Sequence, residues 1–180
     1  VLNLENDTLK SMLLHKKNIL VIGPGGAGKS TLASKIAQYL KIQVYHLDKI
    51  YWEAGWKAIS KQKFEAEVDK IMKSPTPCII DGDYSFNLEK RLKHADLIIW
   101  LDIPLYICIF NIIKRRLKNI NRSRPDVTEG CKERLSLSFF IYTLKYKQRS
   151  GQKTKKLIDE RYNKELIMFN KYKDVKKIKL

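Results

Sequence analysis

Apolar residues fall along this chain in short unbroken runs that alternate with stretches of helical spacing. Asn18-Ile-Leu-Val-Ile22 is apolar on both faces and stops at glycine, the pattern of a buried parallel strand. Beyond the glycines, Leu32, Ala33, Ile36, Ala37 and Leu40 recur at the period of one helix face. Residues 43–48 predict a second strand ending at Asp48. Ser60 is placed to cap a helix whose core face is Phe64, Val68, Ile71 and Met72, and Pro75 and Pro77 break it. Residues 78–80 predict a third strand running into Asp81-Gly82, and residues 97–101 a fourth ending at Asp102. Pro104 opens a helix that reaches about Lys118. Residues 119–130 are polar and predict a mobile loop, 131–147 and 154–171 predict helices, and 175–180 a last strand.

Strands alternating with helices predict an α/β fold, a three-layer doubly wound parallel sheet of about five strands. Such sheets bind ligands at the carboxyl ends of their strands, where Gly23, Asp48, Asp81 and Asp102 fall. A length of 180 residues fits one domain spanning residues 1–180. A hydrophobic share of 44% is that of a globular chain.

The longest apolar stretch, residues 97–113, contains Asp102, Pro104 and Asn111, which a membrane span of about 20 residues does not tolerate. Residues 1–11 are mixed polar with no signal-peptide pattern, and Met12 is a candidate natural start. Cys78, Cys108 and Cys131 are far apart and form no C-x-x-C, as expected of reduced, mostly buried thiols. A cytoplasmic protein without membrane contact is the expectation. The net charge of +17 suggests anionic partners, nucleotide phosphates or weakly and non-specifically bound nucleic acid, although most lysines are scattered like solvated helix faces. The arginines instead cluster: Arg115, Arg116, Arg122, Arg124 and Arg134 lie within one short stretch.

Gly23-Pro24-Gly25-Gly26-Ala27-Gly28-Lys29-Ser30 fits the P-loop pattern G-x-x-x-x-G-K-S/T, and it lies between a strand and an amphipathic helix as that motif requires. Glycines let main-chain N–H groups curl around phosphates, and the helix N-terminus faces the same anion. Lys29 is placed for the β- and γ-phosphates and Ser30 for Mg²⁺, with Thr31 next to it. The GTPase signatures N-K-x-D and D-x-x-G after a strand are missing, so ATP with Mg²⁺ is the expected ligand.

Several further motifs occur in order: His46-Leu-Asp48-Lys-Ile-Tyr-Trp52, Gly55-Trp56, Ile80-Asp-Gly-Asp-Tyr84, Arg122-Ser-Arg-Pro-Asp126 and Glu129-Gly-Cys131. With the P-loop they make residues 19–149 resemble the bacterial FlaR-type DNA topology modulation proteins, which look like adenylate-kinase-related P-loop NTPases. The resemblance implies the nucleotide-kinase arrangement: an acceptor region at about 49–77 and an arginine-bearing helical lid at about 115–134. The chain departs from the family at Asp83, where asparagine is usual, and it ends at Leu180 without the family fold's adenine-contacting loop after the last strand.

Asp48 is then a candidate proton acceptor for a substrate hydroxyl, or a helix cap. Asp81 suits a Walker-B-type role toward Mg²⁺, with Asp102 structural. Trp52, Trp56, Asp83 and Tyr84 flank the acceptor region, the aromatics as clamps or as core anchors. Arg91 either contacts an acceptor phosphate or pairs with Asp96. Arg116, Arg122 and Arg124 of the lid are candidates to stabilise a phosphoryl transition state, or form a solvated basic face. The function expected is a small ATP-dependent kinase of an unidentified acceptor, a nucleoside or nucleotide among the candidates. The alternative is a DNA-associated topology modulation protein using ATP as a switch, though no helix-turn-helix or zinc-finger signature is found.

Overall fold

The computed structural model describes residues 6–119, 124–132 and 137–180. The chain runs through α1 (Asn6–Leu13), β1 (Asn18–Ile22), α2 (Lys29–Leu40), β2 (Gln43–His46), α3 (Leu47–Tyr51), the two-residue strands β3 (Trp52–Glu53) and β4 (Lys57–Ala58), and α4 (Lys61–Lys73). It continues through β5 (Cys78–Asp81), α5 (Leu88–His94), β6 (Leu97–Leu101), α6 (Leu105–Lys118), α7 (Leu137–Leu144), α8 (Gln152–Arg161), β7 (Glu165–Phe169) and α9 (Tyr172–Lys177). Five strands form one sheet in the order β2-β5-β1-β6-β7, every neighbouring pair parallel.

Strand residues alternate between two cores, as a period of two requires. Ile19, Val21, Leu97 and Ile99 face α1, α2, α6 and α9, while Leu20, Ile22, Ile98 and Trp100 face α4, α5 and α8. The middle strands are apolar on both sides because both faces are covered. Ser60 caps α4 as expected, its hydroxyl accepting the Lys63 N–H at 3.2 Å. Leu9 and Leu13 of α1 sit in the first core, so residues 6–13 belong to the packed fold. All three cysteines are buried and free. Among the described residues no helix is long and apolar enough to cross a membrane.

Three expectations fail. The last strand is β7, and residues 175–180 carry the end of α9 instead of a strand. Val175 and Ile178 are both buried at a spacing of three, which a helical turn brings to one side and a strand sends to opposite sides. The helix expected over 154–171 stops at Arg161, and the unbroken apolar run Leu166-Ile-Met-Phe169 pairs with β6. The loop expected to be mobile over 119–130 is, in its described part from Arg124, fastened down. Gly55 N–H donates to Gly130 O at 3.2 Å, and Thr128 Oγ1 donates to Lys49 O at 3.1 Å.

Candidate functional site

β1 delivers the chain into the glycine turn at the carboxyl edge of the sheet. Gly26 has φ +79°, and a Cβ there would lie 2.3 Å from Cys108 O, so the turn lies flush on α6. Asn111 of α6 fixes it further, its Nδ2 donating to Gly26 O at 2.9 Å. Gly28, at φ +93°, caps α2 and leaves the N–H groups of its first turn facing the loop. Lys29 Nζ donates to Pro24 O at 2.8 Å, which folds the ammonium back over the loop. Ala27 is buried, and Thr31 is exposed on α2.

Strand ends bring the acidic groups beside Lys29. Asp81 closes β5 and is buried; His46 at the end of β2 bonds its Oδ2 through Nδ1 at 2.7 Å. The other oxygen, Oδ1, is buried without a partner among the described residues. Asp48 lies in the first turn of α3 and accepts from the Tyr84 hydroxyl at 2.7 Å. Burial pushes the Asp48 carboxyl above the usual carboxylate range, against the pull of the Tyr84 hydrogen bond; Asp81 adds to the rise, and Lys29 and Arg124 oppose it. Lys29, Asp48, Asp81, Tyr84 and Arg124 therefore share one electrostatic neighbourhood.

Two residues expected to contact the acceptor, Asp83 and Arg91, are buried. Asp83 accepts from the Tyr146 hydroxyl at 2.9 Å and lies near the Gly23 N–H, and so sits under the glycine turn. Burial raises its pKa despite nearby Lys29 and Arg91. Arg91 is 0% exposed and donates to the carbonyls of Gly82 at 2.9 Å, Asp83, and Tyr84 at 3.2 Å. Burial lowers its pKa to about 10, so it remains a cation at neutral pH. Arg91 is a clamp on the turn after β5 and does not pair with Asp96, whose Oδ2 accepts the N–H groups of Lys17 and Asn18. Asp102 pairs with Lys147 at 3.3 Å.

Beside the β3–β4 hairpin, Trp52 and Trp56 meet edge to face at 5.7 Å, and Tyr84 packs into a cluster with Tyr51, Phe64 and Phe86. Trp56 Nε1 donates to Lys132 O at 2.8 Å, and Cys131 Sγ to Glu53 O at 3.2 Å, so the stretch after Arg124 is sewn to the β3–β4 hairpin. An open cavity of about 630 Å³ lies between Lys49 and the segment Arg124, Pro125, Val127, Thr128 and Glu129. Arg124 Nη1 reaches Asp126 Oδ2 at 2.5 Å. Burial works against the Asp126 charge, but Arg124, the hydroxyl of Ser30 and Arg115 outweigh it and hold the carboxyl below its usual range. Arg116 is half-buried on α6, and Arg122 lies outside the described residues, as does Arg134.

Asp126 on Ser30, His46 on Asp81 and Tyr146 on Asp83 were not assigned roles from sequence. For Asp126 a signal existed, since a carboxylate two residues after Arg124 in a basic segment is a local partner. Mg²⁺ fits the donors present: the Ser30 hydroxyl and the unpartnered Asp81 Oδ1 are hard oxygens, and that ion keeps several waters and needs few protein ligands.

A model of the ATPase family associated with various cellular activities (AAA) matches residues 19–81, which hold the P-loop, Asp48 and Asp81. A search of curated proteins returned no match. Among solved structures, shikimate kinase from Acinetobacter baumannii in complex with shikimate is similar with a TM-score of 0.52 and 16% identity, covering 94% of this chain and 93% of that one. Shikimate kinase from Bacteroides thetaiotaomicron follows with 0.51 and 16%, covering 91% and 96%. Deoxyadenosine kinase from M. mycoides, with dCMP and dCDP bound, gives 0.47 and 17%, covering 88% and 92%. Sheet order, turn and flanking helices define a P-loop NTPase domain. Its fold is that of the small kinases.

Proposed function

We propose that the chain is an ATP-dependent phosphotransferase that moves the γ-phosphoryl group of ATP to a hydroxyl of a small acceptor. One observation carries this reading. A carboxylate of raised pKa, Asp48, is held by Tyr84 in the same neighbourhood as the P-loop Lys29 and the basic Arg124. A base of raised pKa at a phosphate cradle is suited to taking a proton from an alcohol near neutral pH.

In this reading residues 23–31 hold the polyphosphate, and Lys29 exchanges Pro24 O for the phosphate oxygens. Ser30 and Asp81 hold Mg²⁺, which when bound neutralises charge on those oxygens. Asp48 takes the acceptor's hydroxyl proton while that oxygen bonds to the γ-phosphorus; the bond to the β–γ bridging oxygen breaks and ADP leaves. Arg124 exchanges Asp126 for the transferring group, with Arg116 and Arg122 adding positive charge and the lid excluding water. The chain is one domain, residues 1–180, with its acceptor region at about 49–77 and its lid at about 115–134. Trp52, Trp56 and Tyr84 line the acceptor side. The quoted motifs support placing it with the FlaR-type proteins, as a cytoplasmic member.

The test begins with Mg²⁺-dependent ATP binding by calorimetry, expected to fall at least about 100-fold in Lys29→Ala. ADP formation is then followed with a panel of nucleosides, nucleotides and small hydroxy acids. One acceptor should stimulate it, and Asp48→Asn should abolish the stimulation with ATP binding kept. ATP binding without stimulation by any acceptor would refute the transferase reading. Duplex-DNA affinity that survives physiological salt would favour an ATP-switched DNA protein instead.

A further inference from the structure

Helix α6 buries Cys108 and Ile112 against the domain and turns its opposite side to water. That side is not polar. Tyr106, Phe110, Ile113 and Leu117 are 73%, 64%, 41% and 67% exposed. At 100° per residue these four positions lie within a strip about 60° wide, and their spacing of four, three and four is the seam of a helix that meets another helix. α7, which packs on α6, exposes Leu137 to 75%. Single exposed apolar residues need no explanation; a four-residue stripe of large ones on one helix does.

We propose that this stripe is a self-association surface on which a second copy of the chain docks, the two α6 helices pairing antiparallel about a two-fold axis. Two arguments favour a second copy, and a third sets its direction. The seam is self-complementary, as an isologous contact requires, because reversing the helix maps Tyr106 onto Leu117 and Phe110 onto Ile113. Two facing stripes remove at most about 1,000 Å² of surface from water before flanking residues are counted, the lower bound for a specific interface. Charge sets the direction. Lys114, Arg115, Arg116 and Lys118 crowd the last turns of α6, which has no acidic residue. Parallel pairing would put eight cations side by side. Antiparallel pairing centred between residues 111 and 112 sets the midpoints of the two groups roughly 13 Å apart along the axis, beyond the screening length of about 8 Å at physiological salt.

The pairing lies behind the nucleotide loop, not over it, because the inner side of the same helix carries Cys108 and Asn111 against Gly26. Association should therefore leave ATP access open.

Sedimentation velocity of the full chain tests the proposal. A dimer is expected in the micromolar range, tightening as NaCl rises from about 0.05 to 0.5 M because the chains carry like charge. Tyr106→Glu and Phe110→Glu should each weaken it at least tenfold while thermal melting and ATP binding stay unchanged. A mixture of single variants Phe110→Cys and Ile113→Cys, oxidised together, should yield chiefly the mixed disulfide. A wild-type chain that is monomeric up to about 100 µM overturns the proposal, and so does a 110–110 disulfide as the main product. The same surface binding phosphatidylserine vesicles in a flotation assay, weakened by salt and by Phe110→Glu with no dimer in solution, overturns it in favour of a membrane partner.

Discussion

Replacing Arg91 by methionine removes a buried cation that holds three consecutive main-chain carbonyls. The methionine side chain fills most of the volume of the arginine stem, so the loss is mainly polar. Gly82 O, Asp83 O and Tyr84 O each lose their guanidinium donor. A buried acceptor without a donor costs about 1–3 kcal/mol. Part of this is returned because the guanidinium no longer has to be desolvated, the cost that lowers its pKa to about 10. The buried Asp83 carboxylate also loses a neighbouring cation. Taken together the expected loss is about 3–5 kcal/mol, the range found when one partner of a buried polar cluster is deleted. Urea unfolding followed by circular dichroism should show the midpoint falling by roughly 1–3 M with an unchanged slope. A shift below about 0.3 M, with acceptor-stimulated ADP formation lost, would refute the clamp and return Arg91 to a substrate contact.

Asp83→Asn tests the buried carboxylate through pH. Its folded pKa lies above the unfolded value of about 3.9, so its stabilising contribution is full below that value and disappears as pH rises through the folded pKa. Wild type should therefore lose stability relative to Asp83→Asn between about pH 4 and that higher value, in urea unfolding series; a difference constant from pH 4 to 8 would contradict the raised pKa. Gly26→Ala places a Cβ against Cys108 O at a positive φ. It should cost about 1–3 kcal/mol in thermal unfolding and weaken ATP binding at least tenfold by calorimetry; a variant matching wild type in both would show that the turn does not rest on α6.

The central half of the fold is legible because its signals are local. An unbroken apolar run, a glycine turn and a 3.6-residue period identify β1, the P-loop and α2 without reference to the rest of the chain. The carboxyl ends of β2 and β5 follow from the same logic, which is why Asp48 and Asp81 are found beside Lys29. The C-terminal third is harder to read. Ile158, Tyr162, Leu166 and Phe169 can be threaded on one helix face, and nothing local says that the apolar run Leu166-Ile-Met-Phe169 will pair with β6. Arg91 is ambiguous for a different reason. Whether an arginine on a short helix faces inward depends on α5 packing against the turn after β5, a contact set by tertiary structure. Asp126 likewise meets Ser30 across about a hundred residues of chain.

The seam between residues 128–132 and the β3–β4 hairpin is made largely to main-chain carbonyls: those of Lys49 and Trp52 for Thr128, that of Glu53 for Cys131, and Gly130 O for the Gly55 N–H. Apart from the Trp56 Nε1 bond to Lys132 O, a fastening of that kind is indifferent to the side chains on the hairpin. If the proposed kinase reading holds, substitutions of the other hairpin side chains can alter acceptor selectivity while the two strips of backbone stay buttoned together.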